Sequence, residues 1–191
     1  LLKNKIGGRI MKVALIVGHT SKSPGACNKK HGVCEYPFND KLSIEIYDSM
    51  KINYPHIHLV IIRRRSYKTL PQDVNAVNPK FAISMHCNAI NGNINFTETL
   101  YYHTSDRGKK LAEIVQKEMV QALGFRDRGI KPKTVEDRGG HILRYTNMPV
   151  VIAEPFFIDN DSAFEHVIKN KYDMLKNAYI QSLVKGLDKL G

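Results

Sequence analysis

Four residues whose side chains can do chemistry stand just past apolar runs or in the loops that follow them. His19 comes after Val13 to Val17 and Gly18, and Glu35 closes the glycine- and proline-bearing stretch behind it. His86 follows Phe81 to Met85, and Glu154 follows Val150 to Ala153. Two imidazoles and one carboxylate form the ligand set of a hydrolytic zinc, which keeps one position free of protein. Spacing alone does not force His19, Glu35 and His86 together, because no short motif joins them, and a lone histidine at a strand end is more often structural. Glu154 needs its own account. A carboxylate that ends a fully apolar strand is paired, holds its proton, or faces a functional cleft. Against one of the many arginines it would form a salt bridge; beside a metal it has the chemistry of a general base.

The elements that must position these groups follow from periodicity. Val13 to Val17 is an unbroken apolar run, the pattern of a strand buried on both faces. Ligand sites in open α/β sheets form beyond the carboxyl ends of the strands. That places His19 and Glu35 in a loop just past the first strand. Phe38, Leu42, Ile46 and Met50 recur every fourth residue and predict an amphipathic helix closed by Pro55. A second strand is expected over 58–62, and a third over 81–85 ending in His86, Cys87 and Asn88. The stretch 63–79, with Pro71, Pro79 and several Asn, reads as loop with at most one helical turn. A fourth strand, 97–103, leads to a helix capped by Ser105 and ended by Gly124. Residues 125–148 read as a long binding loop with a short extended piece at 142–144. A strand at 150–153 and a long final helix, opened by a Ser162/Glu165 capping box, complete the chain. The order is strand, helix, strand, strand, strand, helix, strand, helix: one α/β domain with a mixed, mostly parallel twisted sheet and helices on both faces.

Composition narrows the class. The chain of 191 residues suits one domain and carries a formal charge of +11. It remains strongly basic without Lys3, Lys5 and Arg9, which sit in a segment 1–10 read as vector or leader sequence ahead of Met11. A basic balance implies an acidic partner or polyanionic surface. No zinc finger, paired RNP-type aromatics or base-reading basic helix argues for nucleic acid. No run of apolar residues is long enough for a membrane span, and no secretory signal is visible after Met11. The 3 cysteines, Cys27, Cys34 and Cys87, are odd in number and without framework spacing, so structural disulfides are not expected and a reducing compartment fits. A sulfur-rich site joining them to His86 is disfavoured because His86 and Cys87, adjacent on a strand, point to opposite faces. His31 and His141 lie in glycine-flanked loops, where they are surface residues or substrate contacts. Arg144 could hold a peptide carboxylate in bidentate fashion or form a structural ion pair. Arg63 to Arg65 reads as a solvated run that could help to hold anionic polymers.

Five pieces, taken together and in order, carry a resemblance: VGHTSKSPGACNKKHGVCE, FAISMHCNA, ETLYYH, FRDRGIK and LRYTNMPVVIAEPFFIDN. The chain from Met11 to the last helix resembles the zinc-dependent N-acetylmuramoyl-L-alanine amidases of the type-3 amidase family, which cut peptidoglycan between muramic acid and L-alanine. The resemblance implies a zinc-exopeptidase-like fold over a catalytic domain of residues 11–191, and one Zn²⁺ per chain held by His19, Glu35 and His86. It makes Glu154 the catalytic carboxylate; Asn88, Arg144 and His141, apart from the resemblance, are the candidate substrate contacts. Peptidoglycan and anionic wall polymers are the implied partners. A domain with neither signal nor wall-binding repeat resembles a phage lysin, made in the cytoplasm and acting on the wall after release. The residues after Glu154 depart from the family, since Pro155, Phe156 and Phe157 replace an aliphatic residue, Gly and Phe. A zinc peptidase acting on the stem peptide and a non-catalytic wall- or polyanion-binding module are the rival readings.

Overall fold

The computed structural model describes residues 11–190, so the segment 1–10 lies outside the described residues. Its centre is a sheet of 6 strands in the order β4-β1-β5-β8-β6-β7. Strands β1 (Met11–Val17), β4 (Ile57–Arg63), β5 (Ala82–Met85) and β8 (Val150–Glu154) run parallel. Strand β6 (Thr97–Tyr102) is antiparallel to β8 and parallel to the edge strand β7 (Asp127–Lys133). Alternation along β1 divides the core. Val13 and Leu15 join one apolar cluster and Ala14 and Ile16 the other, all fully buried.

The larger cluster is roofed by three helices: α1 (Glu35–Asn53), α3 (Asp106–Leu123) and α6 (Tyr172–Leu190). Phe38, Leu42, Ile46 and Met50 form the buried stripe of α1, as their spacing requires. Ser105 caps α3 by accepting the Gly108 N–H at 3.0 Å, and Gly124 ends the helix in the left-handed region at φ 72°. The other face is covered by two short helices, α2 (Leu70–Val77) and α4 (Gly140–Tyr145). Leu70, Val74, Ile142 and Leu143 lie against Ala14, Ile16 and Ile152 there. Helices thus flank both faces of a mostly parallel sheet.

The structure corrects the sequence reading in several places. The stretch expected to be loop holds α2, two turns long. Pro71 sits in its first turn, where a missing N–H costs nothing, and Asn78 at φ 51° ends it. The expected long loop after α3 contains β7 and α4, and the extended piece at 142–144 is helical. The final helix is not opened by Ser162. Asn160 caps α5 (Asp161–His166) by accepting the Ala163 N–H at 2.8 Å. One π-helical stretch, Val167–Lys171, then joins α5 to α6. Glu165 is engaged elsewhere: hydrogen bonds from Lys30, Lys169 and His31 hold its carboxyl down at about 2. That contact fixes His31 as a structural residue against Phe164.

A disulfide joins Cys27 and Cys34, contrary to the expectation from composition. The two cysteines face each other across a small hairpin of β2 (Cys27–Asn28) and β3 (Val33–Cys34), with Cα atoms 3.9 Å apart. An odd total hid the pair, because the remaining thiol, Cys87, is buried in the core. Closing so short a loop limits the unfolded chain modestly. The double variant Cys27→Ser/Cys34→Ser is expected to lose about 2–3 kcal/mol of stability in urea unfolding. An unchanged midpoint and slope would show that the bond does not constrain the unfolded chain.

Candidate metal centre

The centre assembles at the carboxyl ends of β1, β5 and β8. Strand β1 ends at Val17, and the chain bends at Gly18 to present His19. Gly18 must be glycine, since a Cβ there would lie 2.0 Å from Nε2 of His86. Glu35 is not in the loop where the sequence reading placed it. It is the first residue of α1, and the adjacent stripe of α1 packs on the sheet beneath the site. A carboxylate in this first turn faces the positive end of the helix.

Glu35 is almost fully enclosed, at 1% exposure. Its Oε1 accepts the Ala26 N–H at 2.8 Å, and its Oε2 accepts the Cys87 N–H at 3.0 Å. The same Oε2 lies 3.3 Å from Nε2 of His19 and 3.3 Å from Nδ1 of His86. Burial opposes the charged carboxylate, but the His19 and His86 imidazoles set against it prevail and hold its pKa far below the usual range. Burial pushes the His86 imidazole the other way, toward the neutral form that offers a lone pair.

One ligand atom from each of His19, Glu35 and His86 lies within 4.8 Å of the others. Nε2 of His19 is buried there without a hydrogen-bond partner. Two ring nitrogens converging on one carboxylate oxygen, one of them orphaned, is a donor set that suits a cation such as zinc. Glycine makes the enclosure possible a second time at Gly25, at φ 84°. A Cβ there would meet Cδ2 of His19 at 2.7 Å and Oε1 of Glu35 at 2.8 Å.

A cavity of about 200 Å³ opens over this cluster, lined by His19, His86 and Glu154 among others. Glu154 ends β8, and its Oε2 is buried without a partner. Burial first, then the neighbouring charges of Glu35 and Glu98, raise its pKa well above the ordinary carboxylate value, while Arg138 pulls the other way. A raised carboxyl without a salt bridge, beside a candidate metal site, is placed to take a proton and return it. The residues after Glu154 are held by the fold. Pro155 accepts a hydrogen bond from Thr97 Oγ1 at 2.7 Å, and Phe156 and Phe157 are buried.

The proposed substrate contacts divide. Asn88 lines the cavity, with its amide donating to Glu98 Oε1 at 2.8 Å. Arg144 and His141 are not among the lining residues. Arg144 lies 5.7 Å from the rings of both Tyr102 and Tyr145, and His141 sits between Tyr67 and Tyr145 on α4. Arg64 and Arg138 do line the cavity; the sequence reading took Arg64 as part of a solvated run and passed over Arg138. For Arg64 a signal existed. Period-two alternation continues from Ile62, which packs on the α2/α4 face, to Arg64, whereas Arg63 turns to Asp40 of α1.

Fold and site together define the class: an α/β domain with a candidate metal centre at the carboxyl ends of its parallel strands. The chain belongs to the N-acetylmuramoyl-L-alanine amidase family, whose pattern matches residues 13–188. It is 26% identical over 182 residues to N-acetylmuramoyl-L-alanine amidase CwlM of Bacillus licheniformis, covering 93% of this chain and 66% of that one. It is 25% identical over 181 residues to the sporulation-specific N-acetylmuramoyl-L-alanine amidase of Bacillus subtilis, covering 93% and 65%. This chain therefore spans just under two thirds of the length of these relatives. The crystal structure of N-acetylmuramoyl-L-alanine amidase from Clostridium difficile 630 shares the fold, with a TM-score of 0.83 at 24% identity over 96% of this chain and 100% of that one.

Proposed function

We propose that residues 11–191 form a catalytic domain that hydrolyses the amide between N-acetylmuramic acid and L-alanine in peptidoglycan, with one Zn²⁺ held by His19, Glu35 and His86. The observation that carries this reading is the convergence of those three ligand atoms within 4.8 Å, under the same cavity that Glu154 lines. Zinc in such a site supplies Lewis acidity toward water and the amide carbonyl. The remaining work falls to the chain's own groups. His19 and His86 present ring nitrogens, while Glu35, fixed by the Ala26 and Cys87 amides, sets their orientation. Glu154 takes the proton of the attacking water at its free oxygen and delivers it to the departing alanine nitrogen. The site of action is the cell wall, and the basic chain, +11 overall, suits the anionic polymers found there. Among the described residues no helix is long and apolar enough to cross a membrane.

Digestion of purified sacculi, with and without chelator, tests the reading. New L-alanine amino termini without new reducing sugars are expected, and chelation should abolish them. Amino termini at other stem positions would favour a stem-peptide peptidase, and new reducing ends a glycosidase. Binding to sacculi without release of any new end group would indicate a wall-binding module.

A further inference from the structure

Three consecutive arginines begin at the last residue of β4, and they are not equivalent. Arg63 pairs with Asp40 through a 2.6 Å contact, and Arg65 pairs with Asp73. Arg64, between them, has no carboxylate partner among the described residues. It lines the cavity half-buried, its Nε buried without a hydrogen bond, its guanidinium 6.0 Å from the Tyr67 ring. Two further cations line the same cavity, Lys133 at the end of β7 and Arg138 ahead of α4, and neither has an ion pair among the described residues. The cavity's acids cannot neutralise all three. Glu98 is taken by Arg128 at 3.1 Å and by Asn88, and Glu35, not among the lining residues, is enclosed by two amides and two imidazoles. Glu154 alone is left to offset them.

A half-buried guanidinium without a partner carries a desolvation cost that an incoming anion relieves, and its planar fork suits a carboxylate. The reaction itself indicates where that anion lies. Muramic acid contributes its own carboxyl to the scissile amide, so the glycan side arrives without charge there. Free carboxylates remain on the peptide. We propose that Arg64, with Arg138, forms a specificity subsite that receives a carboxylate of the stem peptide on the leaving side of the scissile amide. This inference rests on the amidase reading for its substrate. Both arginines line the same cavity of about 200 Å³. The subsite holds the peptide so that its alanine nitrogen faces Glu154.

Two soluble probes test this: N-acetylmuramoyl-L-alanyl-D-glutamate, and the same compound with both glutamate carboxyls converted to amides. Wild type should prefer the acid in kcat/KM. A charge-assisted contact supports a change of about 10- to 100-fold, so Arg64→Gln should reduce the acid-over-amide preference by that factor, with Arg64→Lys between. Arg138→Gln should shift the preference in the same direction, which covers the case in which Arg64→Gln does not fold. A second readout needs no turnover: titration of the zinc-loaded protein with the product L-alanyl-D-glutamate and with its diamide, followed by NMR. The acid should bind more tightly in wild type, and the Gln variant should lose that difference. Equal losses on acid and amide, or a wild type with no preference in either readout, would overturn the subsite and leave the amidase reading standing. Arg64-dependent binding of the acid without cleavage of either substrate would remove the amidase reading and leave the anion subsite.

Discussion

Glu154→Gln is expected to slow cleavage of the muramoyl–alanine bond by about 10² to 10⁴, the contribution of a positioned acid–base group. Gln keeps the shape and polarity of the side chain but has no basic oxygen. The fold should tolerate the change, because no hydrogen bond to Oε2 is lost. The substitution should even stabilise the metal-free protein. Burial raises the Glu154 pKa in the folded chain, so folding favours the protonated form. Stability therefore falls as pH climbs from the unfolded carboxyl value through the raised folded one, and Gln removes that loss. At neutral pH the gain is expected to be about 1 kcal/mol in urea unfolding of chelated protein. Glu154 must be deprotonated to accept the proton, so turnover should fall on the acid side as the carboxylate is protonated. Near-normal turnover in the Gln variant would place the general base elsewhere, and loss of zinc would make Glu154 a ligand.

His86→Ala is expected to remove stoichiometric zinc and, with it, activity beyond detection in the sacculus assay. Loss of a partner that merely orients a ligand weakens metal affinity by roughly 10–100-fold, and loss of a ligand should exceed that. His86 is a cleaner choice than Glu35, whose removal would also strip the Ala26 and Cys87 amides of their acceptor. An orphaned buried donor costs about 1–3 kcal/mol, which would confuse a metal defect with a folding defect. Two measurements decide the matter. Metal analysis of the purified variant should find little zinc. In addition, wild type should gain about 2.7 kcal/mol of apparent stability when zinc stands at a hundred times its dissociation constant, and the variant should not. Full zinc retention in His86→Ala would take this residue out of the centre.

The groups at strand ends were legible because buried parallel strands announce themselves. Val13 to Val17 and Val150 to Ala153 are apolar throughout, so the polar residue that ends each run stands out. Helix α3 was legible from its stripe and both caps. The elements missed are those whose stability comes from neighbours. Edge strand β7, reading DRGIKPK, has neither alternation nor a β-branched core, and pairing with β6 alone defines it. Short α4 holds together because Ile142 and Leu143 bury against the sheet, a tertiary effect no window of six residues reveals. The disulfide was hidden by counting, and Arg64 by the assumption that a run of like charges shares one environment. Face alternation would have separated it from Arg63.

The covalent bond between Cys27 and Cys34 has a consequence for how a metal is captured. Cys34 directly precedes Glu35, and Cys27 directly follows Ala26, whose amide holds the Glu35 carboxylate. The main chain repeats the tie, because Glu35 N–H donates to Ala26 O at 2.9 Å. The loop that leads into Glu35, a candidate ligand at the start of α1, is thus closed before any ion arrives. A free loop would surrender its conformational freedom at the moment of binding, whereas this one surrenders it when the chain folds and oxidises. Reduction should therefore weaken zinc binding mainly through a less favourable entropy, leaving the sheet and its helices folded around a slack ligand.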